Sequence, residues 1–285
     1  MKIIFGDPHI EEKSLIELHK TFIEIEKMAG DELIMLGDYY NKNKPTAKEI
    51  LFGTEWAFRF KQRFKKVIFL RGNHDRTQTI SAIDYLQYLG IKIVDEYIDE
   101  DNNYFGHFMT NKSLYEYGTY QKTVAELKKY NHVILGHQHT YQQLDTNILH
   151  LGSVRYVNFN EVNDDHKYIL VALNDKEWQR MVLDSPIPMK DVKSIEEVTK
   201  LEGSQIKVRL IISSYQQFKD EINKIAQYKD KFIEFKVKLD FSNTIIAKDE
   251  KIVIARKKRL IDVLRQGIEK IEDKDIKQLL LEAMK

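Results

Sequence analysis

The chain has 285 residues with 45 basic and 44 acidic side chains, nine histidines and no cysteine, and its formal net charge is +1. This length and a hydrophobic content of 42 % allow one large or two smaller globular domains and argue against wholesale disorder. Without cysteine the chain can form no disulfide scaffold, thiol nucleophile or thiolate metal site, so any metal must bind to nitrogen and oxygen ligands.

The first residues predict a short strand, because three apolar residues at 3–5 precede the first polar turn. Three apolar residues are too few for a signal peptide. No later segment approaches the ~18 consecutive apolar residues of a membrane span. We therefore expect a cytoplasmic protein that does not enter a membrane.

Short apolar runs that end in polar turns recur through the first part of the chain and predict buried strands. These runs lie at 3–5, 33–36, 67–70, 91–94 and 133–135. Helical patterns lie between several of them, at 14–28, 46–64 and 119–130. This alternation predicts an α/β sheet covered by helices. Alternating segments with Asn and Asp turns at 149–182 indicate antiparallel pairing instead.

The second part of the chain begins at a segment with two of the four prolines, 184–188. The net charge changes there, from −4 over residues 1–186 to +5 over residues 187–285. Residues 205–241 predict a strand–helix–strand unit, with Ser214 and Gln217 as the capping box of its helix. The tail at 252–285 has a helical pattern. We therefore expect domains at 1–186 and 187–245, followed by a helical tail at 246–285.

The turns that follow four of the predicted strands carry Asp, Asn and His side chains. They are Gly6-Asp7-Pro8-His9, Gly37-Asp38, Gly72-Asn73-His74-Asp75 and Gly136-His137-Gln138-His139. Ligands of open α/β sheets bind at the carboxyl ends of the strands, where these turns would meet. The preceding glycines allow the backbone to turn sharply and to approach a ligand closely.

These side chains predict a metal site. Carboxylate, carboxamide and imidazole groups suit Mn²⁺, Fe²⁺ or Zn²⁺ better than Ca²⁺, which prefers oxygen ligands alone. Seven or eight such groups are too many for one ion and fit two. Two ions roughly 3.5–4 Å apart promote in-line hydrolysis of phosphate esters by activating a water and binding the phosphoryl group.

The order of these motifs resembles the calcineurin-like metallophosphoesterases. The resemblance implies a four-layer α/β sandwich, in which two mixed sheets are flanked by helices. It further implies that one metal is held by Asp7, His9, Asp38 and His139. It assigns the other to Asp38, Asn73, His107 and His137, with Asp38 bridging.

The resemblance assigns a catalytic role to His74, near the substrate phosphate as transition-state stabiliser or leaving-group acid, with Asp75 orienting it. His107 lies in an aromatic, strand-like stretch at 104–110 that fits the remaining motif of the family. Its alternative role is that of a histidine hydrogen-bonded inside a strand. Many relatives carry a histidine shortly after the second-motif aspartate, where this chain has Asn41, so proton delivery would depend on His74 alone.

Further segments resemble the SbcD-type nucleases of DNA double-strand-break repair. They are Leu151-Gly152-Ser153 with Phe159 and Glu161, and the turn from Gly37 to Thr46. The resemblance implies a DNA-capping domain at 187–245 and a tail that docks on an SbcC-type coiled-coil ABC ATPase. It also implies a homodimer of the nuclease subunit. A tail that packs on its own domain is the alternative.

Residues 56–66 interleave aromatic and cationic side chains, which is compatible with nucleic-acid contact. However, Trp56, Phe60 and Phe64 recur every four residues, and this spacing favours a helix face that packs into the core. The basic charge of the second part could contact DNA phosphates or could be a solvated surface.

The sequence thus predicts a two-metal DNA nuclease, with exo- or endonuclease activity, in a DNA recombination or repair complex. Mn²⁺ is the first choice of metal, ahead of Mg²⁺, Fe²⁺ and Zn²⁺. A small-molecule phosphodiesterase and a phosphoprotein phosphatase are alternatives with the same chemistry. A binding scaffold that has lost catalysis is an alternative of another class, and the complete ligand set argues against it.

Overall fold

A computed structural model describes residues 1–240 except 78, 115–119, 175–176 and 229, and also residues 269, 278 and 281. The chain divides into two compact units, Met1–Pro186 and Ile187–Lys285. Among the helices of the described residues, none is long and apolar enough to cross a membrane.

The described residues of the first unit form eleven strands. They are β1 (Lys2–Phe5), β2 (Glu32–Met35), β3 (Lys66–Leu70), β4 (Lys92–Val94), β5 (Tyr97–Ile98), β6 (Tyr104–His107), β7 (Val133–Gly136), β8 (Gln142–Asp145), β9 (Ile148–His150), β10 (Lys167–Ala172) and β11 (Trp178–Leu183).

These strands form two mixed sheets. The first sheet has the order β11-β10-β1-β2-β3-β4, in which β1 to β4 are parallel and β10 and β11 are antiparallel. The second sheet has the order β5-β6-β7-β9-β8, with β6, β7 and β9 parallel at its centre. The carboxyl ends of the central strands therefore lie together at one edge of each sheet.

Helices cover the outer faces of both sheets. α1 (Leu15–Glu26) and α2 (Ala47–Arg63) pack on the first sheet, and α3 (Val124–Leu127) packs on the second. A further apolar cluster joins the inner faces of the two sheets, where Ile34 and Ile68 meet Phe105 and Ile134. Burial of these continuous apolar runs on both faces is the main stabilising contribution to the fold. The predicted four-layer α/β sandwich is confirmed.

α2 carries the aromatic stripe that the sequence placed in the core. Trp56, Phe60 and Phe64 are at most 1 % exposed. The cations beside them are engaged within the protein, since Arg59 stacks on Trp56 and binds Glu26. Arg63 donates to the backbone carbonyls of residues 26, 28 and 30. These contacts favour a structural role for the stripe over nucleic-acid contact.

The predicted helix at 119–130 is longer than the helix that forms. α3 spans only Val124–Leu127, with Thr123 as its N-cap in a capping box with Glu126. Residue 119 lies outside the described residues. The cap at Thr123 fixes the start of the helix, because its hydroxyl satisfies an amide that would otherwise lack a partner.

Besides a 3-10 helix at Ala226–Tyr228, the described part of residues 187–240 in the second unit contains three parallel strands and two α-helices. In chain order they are β12 (Met189–Val192), α4 (Ile195–Lys200), β13 (Lys207–Ile212), α5 (Tyr215–Ile225) and β14 (Glu234–Leu239). Its apolar core is its own, formed by residues such as Val208, Leu210 and Val237. The predicted strand–helix–strand unit corresponds to β13, α5 and β14, and the Ser214 hydroxyl accepts from the Gln217 amide as the capping box requires.

The sequence missed β12 and α4, which precede this unit. The predicted tail at 246–285 lies outside the described residues, apart from residues 269, 278 and 281. The functional roles assigned to the capping domain and to the tail therefore stay predictions.

Candidate metal centre

The candidate ligands lie on loops that leave the carboxyl ends of parallel strands. β1, β2 and β3 pair in register, so the chain leaves them at adjacent points, and β6 and β7 end opposite each other in the second sheet. Four of the residues predicted as ligands have positive φ angles, between 46° and 77°: Asp7, His9, Asp38 and His137. Such backbone strain in non-glycine residues clusters at functional sites.

Two glycines make room for this convergence. A Cβ atom on Gly72 would lie 2.0 Å from Asp38 Oδ1, and one on Gly37 would lie 2.3 Å from His107 Nδ1. Gly37 also has a φ of +107°, which L side chains rarely adopt. Only glycine at both positions lets the backbone pass this close to the two ligands.

The first donor group consists of Asp7, His9 and His139, whose ligand atoms lie within 4.8 Å of one another. The Nε2 atoms of the two histidines are 2.9 Å apart. Asp7 Oδ2 and His9 Nδ1 are buried and have no hydrogen-bond partner among the described residues. Buried polar atoms are nearly always paired, so a carboxylate oxygen left bare beside two imidazoles fits a bound cation.

The second donor group consists of Asp38, His107 and His137. His107 Nε2 lies 3.3 Å from Asp38 Oδ2, and Asn73 Oδ1 lies 3.0 Å from His107 Nε2 and 2.6 Å from His137 Nδ1. Asp38 Oδ2 also lies 3.5 Å from His9 Nε2 in the first group. The structure thus places Asp38 between two sets of donors, as a bridging ligand would require.

The donor chemistry of both groups fits divalent transition ions, because it combines carboxylate, carboxamide and imidazole ligands. All seven residues predicted as metal ligands are brought together here. They are Asp7, His9, Asp38, Asn73, His107, His137 and His139. Their ligand roles stay predictions, and the geometry satisfies the requirements of those roles.

The electrostatics of the cluster favour positive charge at its centre. Burial raises the pKa of Asp7 to about 7. For Asp38, burial opposes ionisation, but the neighbouring His107 outweighs it and holds the pKa below its usual range. Burial likewise disfavours the charged form of His107, but Asp38 raises its pKa to about 9. A proton on His107 partly compensates the buried carboxylates, and a metal ion would replace it in that role.

Asn41, rather than a direct contact with Asp75, orients the His74 imidazole in the structure. Its ring nitrogen Nδ1 donates to the backbone carbonyl of Asn41 at 2.8 Å. The Asp75 carboxylate is buried and accepts instead from the backbone amides of Tyr39, Tyr40 and Gly72, at 3.0–3.2 Å. Burial raises the pKa of Asp75 to about 6. Asp75 therefore fixes the loop that carries Asn41, and Asn41 holds the imidazole.

His74 is exposed, and its ring lies 4.8 Å from the ring of His9, centre to centre. Its backbone amide donates to Asp38 Oδ1 at 2.8 Å. With Nδ1 occupied by a carbonyl acceptor, Nε2 is the nitrogen left to exchange a proton with a bound molecule. This position is compatible with the acid–base role expected of His74, which stays a prediction.

Glu161 is a buried carboxylate behind His139 that the sequence assigned no role at the site. Its Oε1 lies 3.2 Å from His139 Nδ1, and its Oε2 accepts from Lys167 Nζ at 2.6 Å. For Glu161, burial opposes ionisation, but His139 and Lys167 outweigh it and lower its pKa. A carboxylate on the far nitrogen fixes the tautomer and orientation of a metal-binding imidazole.

Arg155 was also missed, although it is only 1 % exposed. Its guanidinium donates to the carbonyls of Pro8 and His9, at 2.9 and 2.8 Å, and to Glu11 Oε1 at 2.9 Å. These contacts hold the strained turn that carries Asp7 and His9. The one signal in the sequence was a lone arginine within an apolar stretch, which does not reveal what it contacts.

Residues 3–214 match the calcineurin-like phosphoesterase family. One similar solved structure is a single mutant of Vps29 from Entamoeba histolytica, with 13 % identity and a TM-score of 0.38, covering 64 % of this chain and 99 % of that chain. Another is the Pseudomonas putida nuclease MPE, with 16 % identity and a TM-score of 0.32, covering 63 % of this chain and 87 % of that chain. No curated protein matches the sequence. Because the family match spans most of the chain and every residue of the candidate centre, this protein belongs to the calcineurin-like phosphoesterases, hydrolases that act on phosphoester bonds.

Proposed function

We propose that this protein is a metal-dependent nuclease that hydrolyses DNA phosphodiester bonds with two divalent ions, Mn²⁺ being the first choice. The observation that carries the proposal is the position of Asp38 between two sets of buried or half-buried donors, Asp7, His9 and His139 on one side and His107 and His137 on the other. A carboxylate shared in this way suits a pair of ions better than one.

Asp7, His9 and His139 would hold one ion, and Asn73, His107 and His137 the other, with Asp38 between them. When bound, such a pair withdraws charge from a phosphoryl group and makes water a better nucleophile. The chain itself orients the ligands, through Glu161 on His139 and through Arg155 on the turn of Asp7 and His9.

His74 would complete the reaction from the open side of the centre. With Nδ1 donating to the Asn41 carbonyl, the ring presents Nε2 outward, and a proton on Nε2 can pass to the leaving oxygen. Removing this transfer should slow the reaction by about 10²–10⁴-fold.

Two observations favour a polymeric substrate over a small phosphodiester or a phosphoprotein. An open groove of about 600 Å³ extends from His74 along residues 41–44, so a bound chain could continue beyond the reacting phosphate. Residues 187–285 carry a net charge of +5, which would attract a polyanion. A small-molecule phosphodiesterase needs neither feature.

We extend the proposal to a DNA recombination or repair complex with an SbcC-type coiled-coil ABC ATPase, in which the nuclease is a homodimer. This part depends on the resemblance of the sequence to SbcD-type nucleases. The tail predicted to dock on the ATPase lies outside the described residues.

The test is Mn²⁺-dependent degradation of linear duplex DNA by the full chain and by Asp38→Asn. We expect the wild type to degrade DNA only with added divalent ion. The variant should lose at least 100-fold in rate, because one substitution disrupts both donor groups. Asp31→Asn is the matched control, since the exposed Asp31 carboxylate has ion pairs, within the described part of the chain, only with Lys65 and the N-terminus.

The proposal fails if the wild type leaves DNA intact while it hydrolyses bis-p-nitrophenyl phosphate rapidly. That result would favour the small-molecule phosphodiesterase. Preferential hydrolysis of a phosphoserine peptide would favour the phosphatase instead.

A further inference from the structure

We propose that residues 41–44, which we call the lysine loop, bind the backbone phosphates of a polynucleotide strand next to the phosphate that reacts. This inference rests on the proposed nuclease function and names how the substrate is held. The loop has the sequence Asn41-Lys42-Asn43-Lys44.

The loop forms one wall of the open groove beside the metal centre. Asn73 and His74 line the same groove, whose volume is about 600 Å³. Lys42, Asn43 and Lys44 are exposed, as is the His74 ring. A strand in this groove would therefore pass from the candidate centre, over His74, to the two lysines.

The loop is fixed to the centre by several hydrogen bonds. The backbone carbonyl of Asn41 accepts from the His74 ring, and the backbone amide of Asn41 donates to the Ile10 carbonyl at 3.1 Å. The Asn43 side chain donates to the Arg76 carbonyl at 3.1 Å. These bonds tie the backbone of the loop to the segments that surround the centre, so that the two lysines stay within reach of a strand bound there.

The charges of the loop are available to a ligand. No ion pair among the described residues involves Lys42 or Lys44. The nearby carboxylates already have partners, since Glu11 binds Arg155 and Glu49 caps α2. Lysines that pair with no carboxylate keep their full attraction for phosphate.

The reach of the loop matches a polymer better than a single phosphate ester. Lys44 lies three positions after Asn41, and three residue steps span at most about 11 Å. At a rise of about 3.4 Å per nucleotide, this length corresponds to roughly three nucleotides. The two lysines therefore suit phosphates one to three nucleotides away from the one at the metal centre.

The experiment measures binding of a fluorescein-labelled 20-nucleotide single strand in EDTA, by fluorescence anisotropy between 50 and 200 mM salt. Because EDTA removes divalent ions, the readout does not depend on catalysis. We expect Lys42→Gln/Lys44→Gln to weaken binding by about tenfold. The slope of log K against log salt should become shallower by about 1.4, because two phosphate contacts are lost. Lys20→Gln/Lys27→Gln is the matched control, because Lys20 on α1 and Lys27 at its C-cap are exposed lysines outside the groove. This variant should bind like the wild type.

A second readout compares kcat/KM for the labelled strand with kcat/KM for bis-p-nitrophenyl phosphate, with Mn²⁺ added. The factor by which the lysine-loop substitutions lower kcat/KM should be at least ten times larger for the strand than for the small ester. The inference is overturned if the lysine-loop variant and the Lys20→Gln/Lys27→Gln control give the same result. It is also overturned if a phosphopeptide displaces the strand and the loop substitutions weaken binding of the phosphopeptide more than binding of DNA. If the wild type has no nuclease activity but still binds the strand through the two lysines, the nuclease proposal is wrong and binding of a strand by the lysine loop is still supported.

Discussion

Asp38 is the residue on which the candidate centre depends most. It lies 3.3 Å from His107 Nε2 and 3.5 Å from His9 Nε2, and it accepts the His74 amide at 2.8 Å. The Asp38 carboxylate thus contacts both donor groups and also the loop that carries His74. Its φ of +50° shows that the backbone is strained to place it there.

Glu161→Gln tests whether the Glu161 carboxylate, which contacts His139 Nδ1, positions the His139 ring as a metal ligand. We expect Mn²⁺ affinity to fall by 10–100-fold, because a neutral amide neither fixes the imidazole tautomer nor raises its basicity as well. Isothermal titration calorimetry measures the affinity. Near-ultraviolet circular dichroism of the metal-free protein checks that the fold is kept.

A merely structural role for Glu161 would give a different result. The variant would then lower the unfolding midpoint through the buried Lys167, which contacts Glu161 and Asp164, and leave Mn²⁺ affinity unchanged. Asp164→Asn is the control, since it touches Lys167 without contacting His139.

Gly72→Ala tests the close packing behind Asp38. The added Cβ would lie 2.0 Å from Asp38 Oδ1 and 2.1 Å from its backbone nitrogen, so Asp38 must move. We expect a loss of at least about 2 kcal/mol in the free energy of unfolding together with loss of Mn²⁺ binding. Urea unfolding and calorimetry measure the two effects.

Gly30→Ala is the matched control for this substitution. Its Cβ would lie 3.0 Å from the end of the Ile3 side chain and 3.4 Å from the backbone oxygen of Met1, and no atom of Asp38 is among its nearest neighbours. It should cost about 1 kcal/mol or less and leave metal binding intact. Equal metal binding by both variants would contradict the packing argument.

The sequence located the candidate ligands but not the residues that support them. Asp, Asn and His after apolar strands are recognisable because strand ends of a parallel sheet converge. Arg155 and Glu161 act through contacts with segments far away in the chain, and the Asn41 carbonyl is a backbone group that every residue possesses. No one-dimensional pattern distinguishes such contacts.

At the scale of elements, the link between the two sheets begins at β1. Lys2 Nζ donates to Asp99 Oδ2 at 2.6 Å, and Asp99 also accepts from the side chain and amide of Asn103, at 3.0 and 2.9 Å. Lys2 belongs to the first sheet and Asp99 follows β5 of the second. This buried carboxylate therefore ties the two sheets at one end.

Asp99→Asn should destabilise the protein in a pH-dependent way. Burial opposes ionisation of Asp99, but Lys2 and Asn103 outweigh it and lower its pKa. A carboxyl group whose pKa is lowered in the folded state stabilises the protein fully at pH values above its ordinary pKa of about 3.9. That stabilisation is lost as the pH falls from this value through the lowered pKa of the folded state. We expect a deficit of about 2 kcal/mol at pH 7, in urea unfolding, that shrinks below about pH 4. A deficit that is constant down to pH 3 would contradict this account.

The elements that the sequence predicted best are those with continuous apolar runs. β1, β2, β3 and β7 are buried on both faces, and both sides of each strand must therefore be apolar. The missed elements, β5, β8, β12 and α4, have two to six residues each, and all of them except the two-residue β5 mix polar with apolar positions. Tertiary contacts rather than local propensity stabilise segments this short.

At the scale of the whole molecule, the two compact units have separate apolar cores. Every candidate ligand, and also Glu161, lies within residues 1–186. A chain that ends at Pro186 should therefore fold, bind Mn²⁺ and hydrolyse bis-p-nitrophenyl phosphate at a rate within about threefold of the full chain. On the proposed function it should bind DNA more weakly, since the truncation removes a net charge of +5.

Thermal unfolding of the shortened chain decides whether its core is complete. A cooperative transition is expected. Loss of cooperativity, or loss of small-substrate hydrolysis by a folded fragment, would show that the second unit completes the centre.

The proposed function requires that a pair of divalent ions binds at Asp38. Its most direct test is an anomalous difference map from crystals of the full chain soaked in Mn²⁺. We expect two anomalous peaks, both in contact with Asp38. One should lie beside His9 and His139, and the other beside His107 and His137. A single peak, or none at Asp38, would contradict the proposed pair of ions.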